Sequence, residues 1–97
     1  MKVSLDKIMD QVDEDLTYLF RNSVRKLYDD IKQDTPVDTG TLRDGWEATI
    51  NTKSAKIVNK VPYVGYVEYG TDKMAPVGMV ARNLRKFNNI LNANIRG

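Results

Sequence analysis

Between Val3 and Asp34 the apolar residues fall at Leu5, Ile8, Val12, Leu16, Leu19, Phe20, Val24, Leu27 and Ile31. Steps of three and four predict one continuous helix with a single apolar stripe. Ser4 is placed to cap its start, and Asp6 falls in the first turn, where the helix dipole favours negative charge. Pro36 lacks an amide hydrogen and pushes Thr35 away from helical angles, so the helix ends by Asp34 or Thr35. At 1.5 Å per residue a Ser4 to Asp34 helix would be about 46 Å long. A compact sphere of this chain length would be only about 32 Å across. Either the helix kinks, or its first turns project and need a partner to cover Ile8 and Val12; the plainer alternative is a curved or frayed helix on an elongated monomer.

The pattern then changes period. In TLRDGWEATIN, residues 41–51, Leu42, Trp46, Ala48 and Ile50 share one parity while Arg43, Glu47 and Thr49 share the other, as in a half-buried strand. Asp44 and Gly45 interrupt it, and Gly45 marks a bulge or a place where another backbone passes closely. The polar stretch 51–56 reads as a hairpin connection into a second strand, roughly Lys56 to Lys60. VPYVGYVEYGT is ambiguous by pattern. Its Val and Tyr content suits a strand, whereas Pro62 suits a first helical turn and Gly70 the position past a helix end. A short helix from Pro62 to Tyr69 is favoured, with a strand as the alternative. KMAPVGMV connects to a second amphipathic helix, Val77 to Ile95, with Val80, Leu84, Phe87, Leu91 and Ile95 on one face and Arg82, Arg85, Lys86, Asn89 and Arg96 on the other. The fold class is therefore α+β: a long N-terminal helix, a small antiparallel sheet, a short middle helix and a C-terminal amphipathic helix. Residues 1–97 form a single domain, with no repeat or linker in the sequence.

Composition narrows the chemistry. The chain has 97 residues, no Cys and no His, which removes disulfides, thiolate metal sites, the usual neutral-pH general base and every Ser-His or Cys-His arrangement. No apolar run approaches the ~20 residues that span a bilayer, so the chain reads as a soluble protein made in the cytosol, without a membrane partner. The net charge of +2 conceals a division. Residues 1–48 carry seven Lys or Arg against eleven Asp or Glu, or −4; residues 49–97 carry eight against two, or +6. Nucleic acid would accept the basic half, and so would the acidic half of a neighbouring copy.

Two stretches share a chemistry: TPVDTG at 35–40 and VEYGT at 67–71. As paired acids, Asp38 and Glu68 would need a pocket and one raised pKa. A structural reading explains more of the same residues. After the proline stop Asp38 accepts amides of its own turn, Thr39 bonds locally and Gly40 takes a positive φ, giving a rigid corner. Likewise Gly70 ends its segment in a left-handed conformation, with Thr71 securing the exit. No catalytic, cofactor or metal residue is assigned. Asp6, Asp10, Asp13, Glu14 and Asp15 lack the spacing of a calcium loop and read as a solvated helix face. Met74 and Met79 read as contact or core fillers. Tyr63, Tyr66 and Tyr69 suit core or subunit packing, or the stacking of bases.

Taken together, a long helix, TPVDTGTLRDGW, a hairpin, PYVGYVEYGTDKMAP and a final helix resemble the tail-completion and tail-component proteins of tailed phages, which sit at the head-tail neck. The resemblance rests on Pro36, Val37, Asp38, Thr39, Gly40 and Leu42, then Tyr63, Val67, Glu68, Tyr69, Gly70 and Thr71. Where such proteins often have a Pro-Phe-Leu-like approach to the last helix, this chain has Pro76-Val77-Gly78-Met79, and it stops at Gly97; a missing final strand would leave a sheet edge or an exposed stripe for a neighbour. The resemblance implies a non-enzymatic structural protein of a phage or prophage, without cofactor, that forms a ring of six copies. It would act as tail-completion or tail-terminator protein or in head-tail joining, in the virion neck after assembly in the host cytoplasm. It implies as partners further copies of itself, the tail tube and the head-side connector proteins, with non-specific contact to phage DNA in the lumen. Asp38 to Arg43 and Glu68 to Thr71 would hold the fold and shape the ring contact. A small basic nucleic-acid-binding module is the alternative from another class, although no helix-turn-helix, zinc finger or RNP-type sequence is present.

Overall fold

The computed structural model describes residues 1–6, 14–36, 40–51 and 54–95. Its elements in chain order are β1 (Lys2–Asp6), α1 (Glu14–Asp34), α2 (Thr41–Asp44), β2 (Trp46–Ile50), β3 (Ser54–Asn59), α3 (Val64–Tyr69) and α4 (Met79–Ile95). The α+β class and the small antiparallel sheet are as the sequence indicates; the N-terminal assignment is not.

Ser4 is not a helix cap but the middle of a strand. β1 pairs antiparallel with β3, Lys2 opposite Val58 and Asp6 opposite Ser54, and β3 pairs on its other side with β2, giving the order β1-β3-β2. Leu5 satisfies two periods at once: it continues the helical spacing of Ile8 and Val12, and it shares strand parity with Val3. The tie is broken by a partner some fifty positions away, which no local pattern can display. Met1 fixes the end of this pairing, its ammonium donating to Asn59 O at 2.7 Å while Asn59 N donates to Met1 O at 2.9 Å. Ile8 and Val12 lie outside the described residues.

α1 keeps the predicted stripe over its described side chains, with Phe20, Val24, Leu27 and Ile31 buried, and it stops before Pro36. Its 21 residues span about 31 Å, so the 46 Å helix expected from Ser4 is not present. The elongation survives in another form: the molecule measures 46 × 22 × 17 Å. α1 runs antiparallel to α4, with Asp34 beside Asn83 near one end and Asn22 and Ile90 sharing a groove near the other.

The expected strand over 41–51 is split. Gly40, at φ 79°, turns the chain into the single helical turn α2, closed by Asp44 N to Gly40 O at 2.9 Å, and only Trp46–Ile50 is extended. The Asp44-Gly45 interruption is the sequence mark of that split. β3 begins two residues earlier than expected and alternates cleanly, with Ala55, Ile57 and Asn59 buried and Lys56 exposed. Ala55 and Ile57, with Leu5, Leu42 and Trp46, meet Phe20, Val24, Leu27 and Ile31 of α1, Val64 of α3 and Met79, Val80 and Phe87 of α4 in one core. Of the two readings of the 62–69 segment the helix is the one present, but it covers Val64–Tyr69 only, with Pro62 and Tyr63 in a turn before it. Val64 and Glu68 face inward one turn apart, and Tyr63, Tyr66 and Tyr69 face out. α4 shows the expected division, Val80 and Phe87 buried against Arg82, Arg85 and Lys86 exposed.

Candidate functional site

The first corner is organised by a residue that the sequence pattern did not single out for a role. Thr35 is buried, its hydroxyl donating to Ile31 O at 2.6 Å and accepting from Trp46 Nε1 at 2.9 Å, with Met79 Sδ at 3.5 Å. One side chain thus ties the end of α1 to the start of β2 and touches the first residue of α4. Arg43 completes the joint: its Nη2 donates to Gln33 O at 3.0 Å and Thr35 O at 3.2 Å, occupying carbonyls that the end of α1 leaves without intrahelical donors. Leu42 is buried beneath it and Pro36 is exposed. Gly40 takes the positive φ expected of it. Val37, Asp38 and Thr39 lie outside the described residues.

Asn59 locks the same corner from the sheet side. Fully buried, it donates from Nδ2 to Leu42 O at 2.8 Å and accepts Val61 N on Oδ1 at 2.9 Å. Gly45 makes room for this, because a Cβ there would sit 2.9 Å from Val61 Cγ2 and 3.0 Å from Asn59 Oδ1. What crowds Gly45 is therefore the side chains of Val61 and Asn59, not the bulge or passing backbone expected there. An asparagine at strand parity gives no local sign that its amide will cap a turn seventeen residues earlier.

At the second corner Glu68 does more than its sequence position suggests. The residue is 3 % exposed, and its two carboxylate oxygens accept Val80 N at 2.8 Å and Ala81 N at 3.0 Å. It is the N-terminal cap of α4, supplied from α3, and a carboxylate there satisfies otherwise orphaned amides at the positive end of the helix dipole. The backbone follows, with Val77 N bonding Val67 O at 2.9 Å and Gly78 N bonding Glu68 O at 3.1 Å. Gly70 has the positive φ foreseen, but its ψ of 176° is extended rather than left-handed helical, a region open essentially to glycine alone. A Cβ on it would lie 2.8 Å from both Met74 O and Pro76 N. Thr71 secures the exit as expected, accepting Lys73 N and Met74 N on its hydroxyl.

Chemically, both oxygens of Glu68 are committed to structure, which leaves it unsuited to act as one of two paired acids. Among the described residues no cluster of three or more His, Cys, Asp or Glu side chains could hold a metal ion, and no helix is long and apolar enough to cross a membrane. What the corners present outward is surface. Tyr63, Tyr66, Tyr69 and Met74 are exposed, Tyr66 at 63 % and Tyr69 at 74 %. Met79, by contrast, is core. A groove of about 190 Å³ between α1 and α4 is lined by Leu27, Phe87 and Ile90 with Lys26, Asp30 and Lys86 among its other residues.

A family described as "Bacteriophage HK97-gp10, putative tail-component" matches residues 1–70, a span that contains both corners through Gly70. No curated protein and no solved structure matches the chain. By a match over most of its length, the chain belongs to the HK97-gp10-like family of bacteriophage tail components and is a structural protein of the virion.

Proposed function

We propose that this tail component forms a ring, of six copies, at the head-tail neck, where it completes the upper end of the tail or joins it to the head. The observation that carries the reading is the tyrosine face. Tyr63, just before α3, and Tyr66 and Tyr69 on it recur at every third position and lie exposed, as does Met74 just beyond. They stand on a backbone that Gly70 and Glu68 hold rigidly. Large aromatics on a fixed platform are the usual anchors of protein interfaces, because they lose little side-chain freedom on docking. A ring needs head-to-tail contact between unlike surfaces, and the division of −4 in residues 1–48 against +6 in residues 49–97 suits that. Its partners are then further copies, the tail tube and a head-side connector.

Light scattering and negative-stain imaging at low and high salt test the reading. The expected result is a closed ring that loosens as salt rises, and a Tyr66→Ser, Tyr69→Ser double variant that folds normally but joins poorly to copies or to tails. A monomer at every concentration that also ignores purified tail tubes would sink it. The exposed Arg85 and Lys86 on α4, with no carboxylate side chain after Asp72, support a second contact, with DNA in the lumen. A monomer with salt-sensitive affinity for duplex DNA would instead favour a nucleic-acid-binding module.

A further inference from the structure

Among the described residues the three-stranded sheet ends in two open edges, and the hydrogen bonds fix which backbone groups lie on them. Met1 and Asn59 exchange bonds in both directions, and Asn51 N bonds Ser54 O at 2.7 Å. Antiparallel ladders alternate. From Met1 inward, Val3 and Leu5 therefore bond β3, and the N–H and C=O groups of Lys2, Ser4 and Asp6 point away from it. From Asn51 inward, Thr49 and Glu47 bond β3, and Trp46, Ala48 and Ile50 point away. Of these outward groups Trp46 O is taken by the Tyr28 hydroxyl at 2.9 Å. Beyond that point no described residue covers the edge, and Glu47, Ala48 and Thr49 are all exposed.

The two edges match each other. Because β1 and β2 are both antiparallel to β3, they run the same way, so copies arranged head to tail present β2 of one to β1 of the next as a parallel pair. The registers place Lys2, Val58 and Glu47 in one row, then Val3, Ile57 and Ala48, Ser4, Lys56 and Thr49, and Leu5, Ala55 and Ile50. A level join sets Lys2 beside Glu47 and Ser4 beside Thr49 on the outer face, and Val3 beside Ala48 and Leu5 beside Ile50 on the inner face. Each is a favourable neighbour pair: opposite charges, two hydroxyls and two apolar contacts. A parallel ladder also requires that a residue pointing its groups across the join sit opposite one pointing away from it. Ala48 opposite Val3 meets that condition.

We infer that β2 of one copy pairs in parallel with β1 of the next, so that the sheets of the ring become continuous. The inference rests on the ring reading above. Ala48 N–H donates to Lys2 O of the next copy, and Ala48 O accepts Ser4 N–H. Ile50 N–H donates to Ser4 O of the next copy, and Ile50 O accepts Asp6 N–H. Neither edge is then left to pair at random.

The chain has no cysteine, which allows a clean test. In a Lys2→Cys, Glu47→Cys double variant, mild oxidation should give a ladder of disulfide-linked oligomers. Ala48→Pro removes an amide that β3 does not use, so it should fold with a wild-type circular dichroism spectrum yet lose the ring; Thr49→Pro, whose amide bonds β3, should disturb the fold itself. Glu47→Lys should also lose the ring, and adding Lys2→Glu should restore it. Rings that persist in Ala48→Pro without a disulfide ladder would overturn the strand join and leave the ring reading intact. Dimers formed by Glu47→Cys alone would mean two-fold pairing of β2 with β2 and overturn the head-to-tail arrangement. Wild-type protein with neither rings nor cross-links, alone or on tails, would overturn both.

Discussion

Replacing Glu68 by alanine removes the cap of α4 and leaves the amides of Val80 and Ala81, one buried and one partly buried, with no acceptor. A hydrogen bond to a charged group contributes about 1.5–3 kcal/mol net, and loss of an N-cap side chain alone costs roughly 0.5–2 kcal/mol. The two bonds share one carboxylate, so they do not add fully, and a loss of about 2–4 kcal/mol is expected, compounded from those two ranges. For a domain this small that lowers Tm by roughly 10–25 °C, a large part of the ~5–15 kcal/mol such domains possess. Glu68→Gln retains one acceptor but turns an amide NH2 toward the other N–H, and about half the loss should follow. Urea unfolding followed by circular dichroism gives both values, and hydrogen exchange should show Val80 and Ala81 losing protection first. An alanine variant within about 0.5 kcal/mol of wild type, the ordinary scatter of surface substitutions, would refute the assignment of Glu68 as a cap.

Two further outcomes follow from buried contacts. Thr35→Val keeps the shape but leaves Trp46 Nε1 without its acceptor, which should cost about 1–3 kcal/mol. Thr35→Ser should cost much less, and the fluorescence of the single tryptophan reports the transition directly. Gly70→Ala forces a Cβ to within 2.8 Å of two backbone atoms at a φ of 79° and should destabilise by more than about 2 kcal/mol. Gly65→Ala, in a helix with nothing within 4 Å of the new Cβ, should instead stabilise by about 0.5–1 kcal/mol. Urea midpoints that moved the same way for both glycines would contradict the backbone argument.

What could be read from the sequence divides by the range of the interaction. The stop at Pro36, the stripes of α1 and α4 and the positive φ at Gly40 are set by neighbours within a few positions and were legible, whereas the pattern over 62–69 favoured a helix but left a strand open. β1 was not, because Leu5 fits either period and the deciding partners, Ala55 and Ile57, are remote. Ala48 shows the limit of parity in another way: it lies on the inner face with Trp46 and Ile50, yet it is exposed. At the candidate site, the turn-forming roles of Gly70 and Thr71 could be named beforehand, whereas the capping of α4 by Glu68 could not. The amides it serves come twelve and thirteen residues later and carry no side-chain signature. Thr35 and Asn59 were hidden for the same reason.

The sheet has two seams that close loops of very different length. Ile50 and Ala55 pair across 5 positions, while Asp6 and Ser54 pair across 48. With closure entropy growing as the logarithm of loop length, the outer seam costs about 2 kcal/mol more to close. The β2-β3 hairpin therefore has a head start, and β1, though made before β2 and β3, waits for β3 before it has a seat. Val3→Ala should then speed unfolding while leaving the folding rate nearly unchanged, which stopped-flow fluorescence of Trp46 would detect. The timing bears on assembly as well. If the outer edge of β1 is what receives the neighbouring copy, that edge does not exist until the chain has been made past Asn59 and folded, so a half-made subunit has nothing to offer a growing ring.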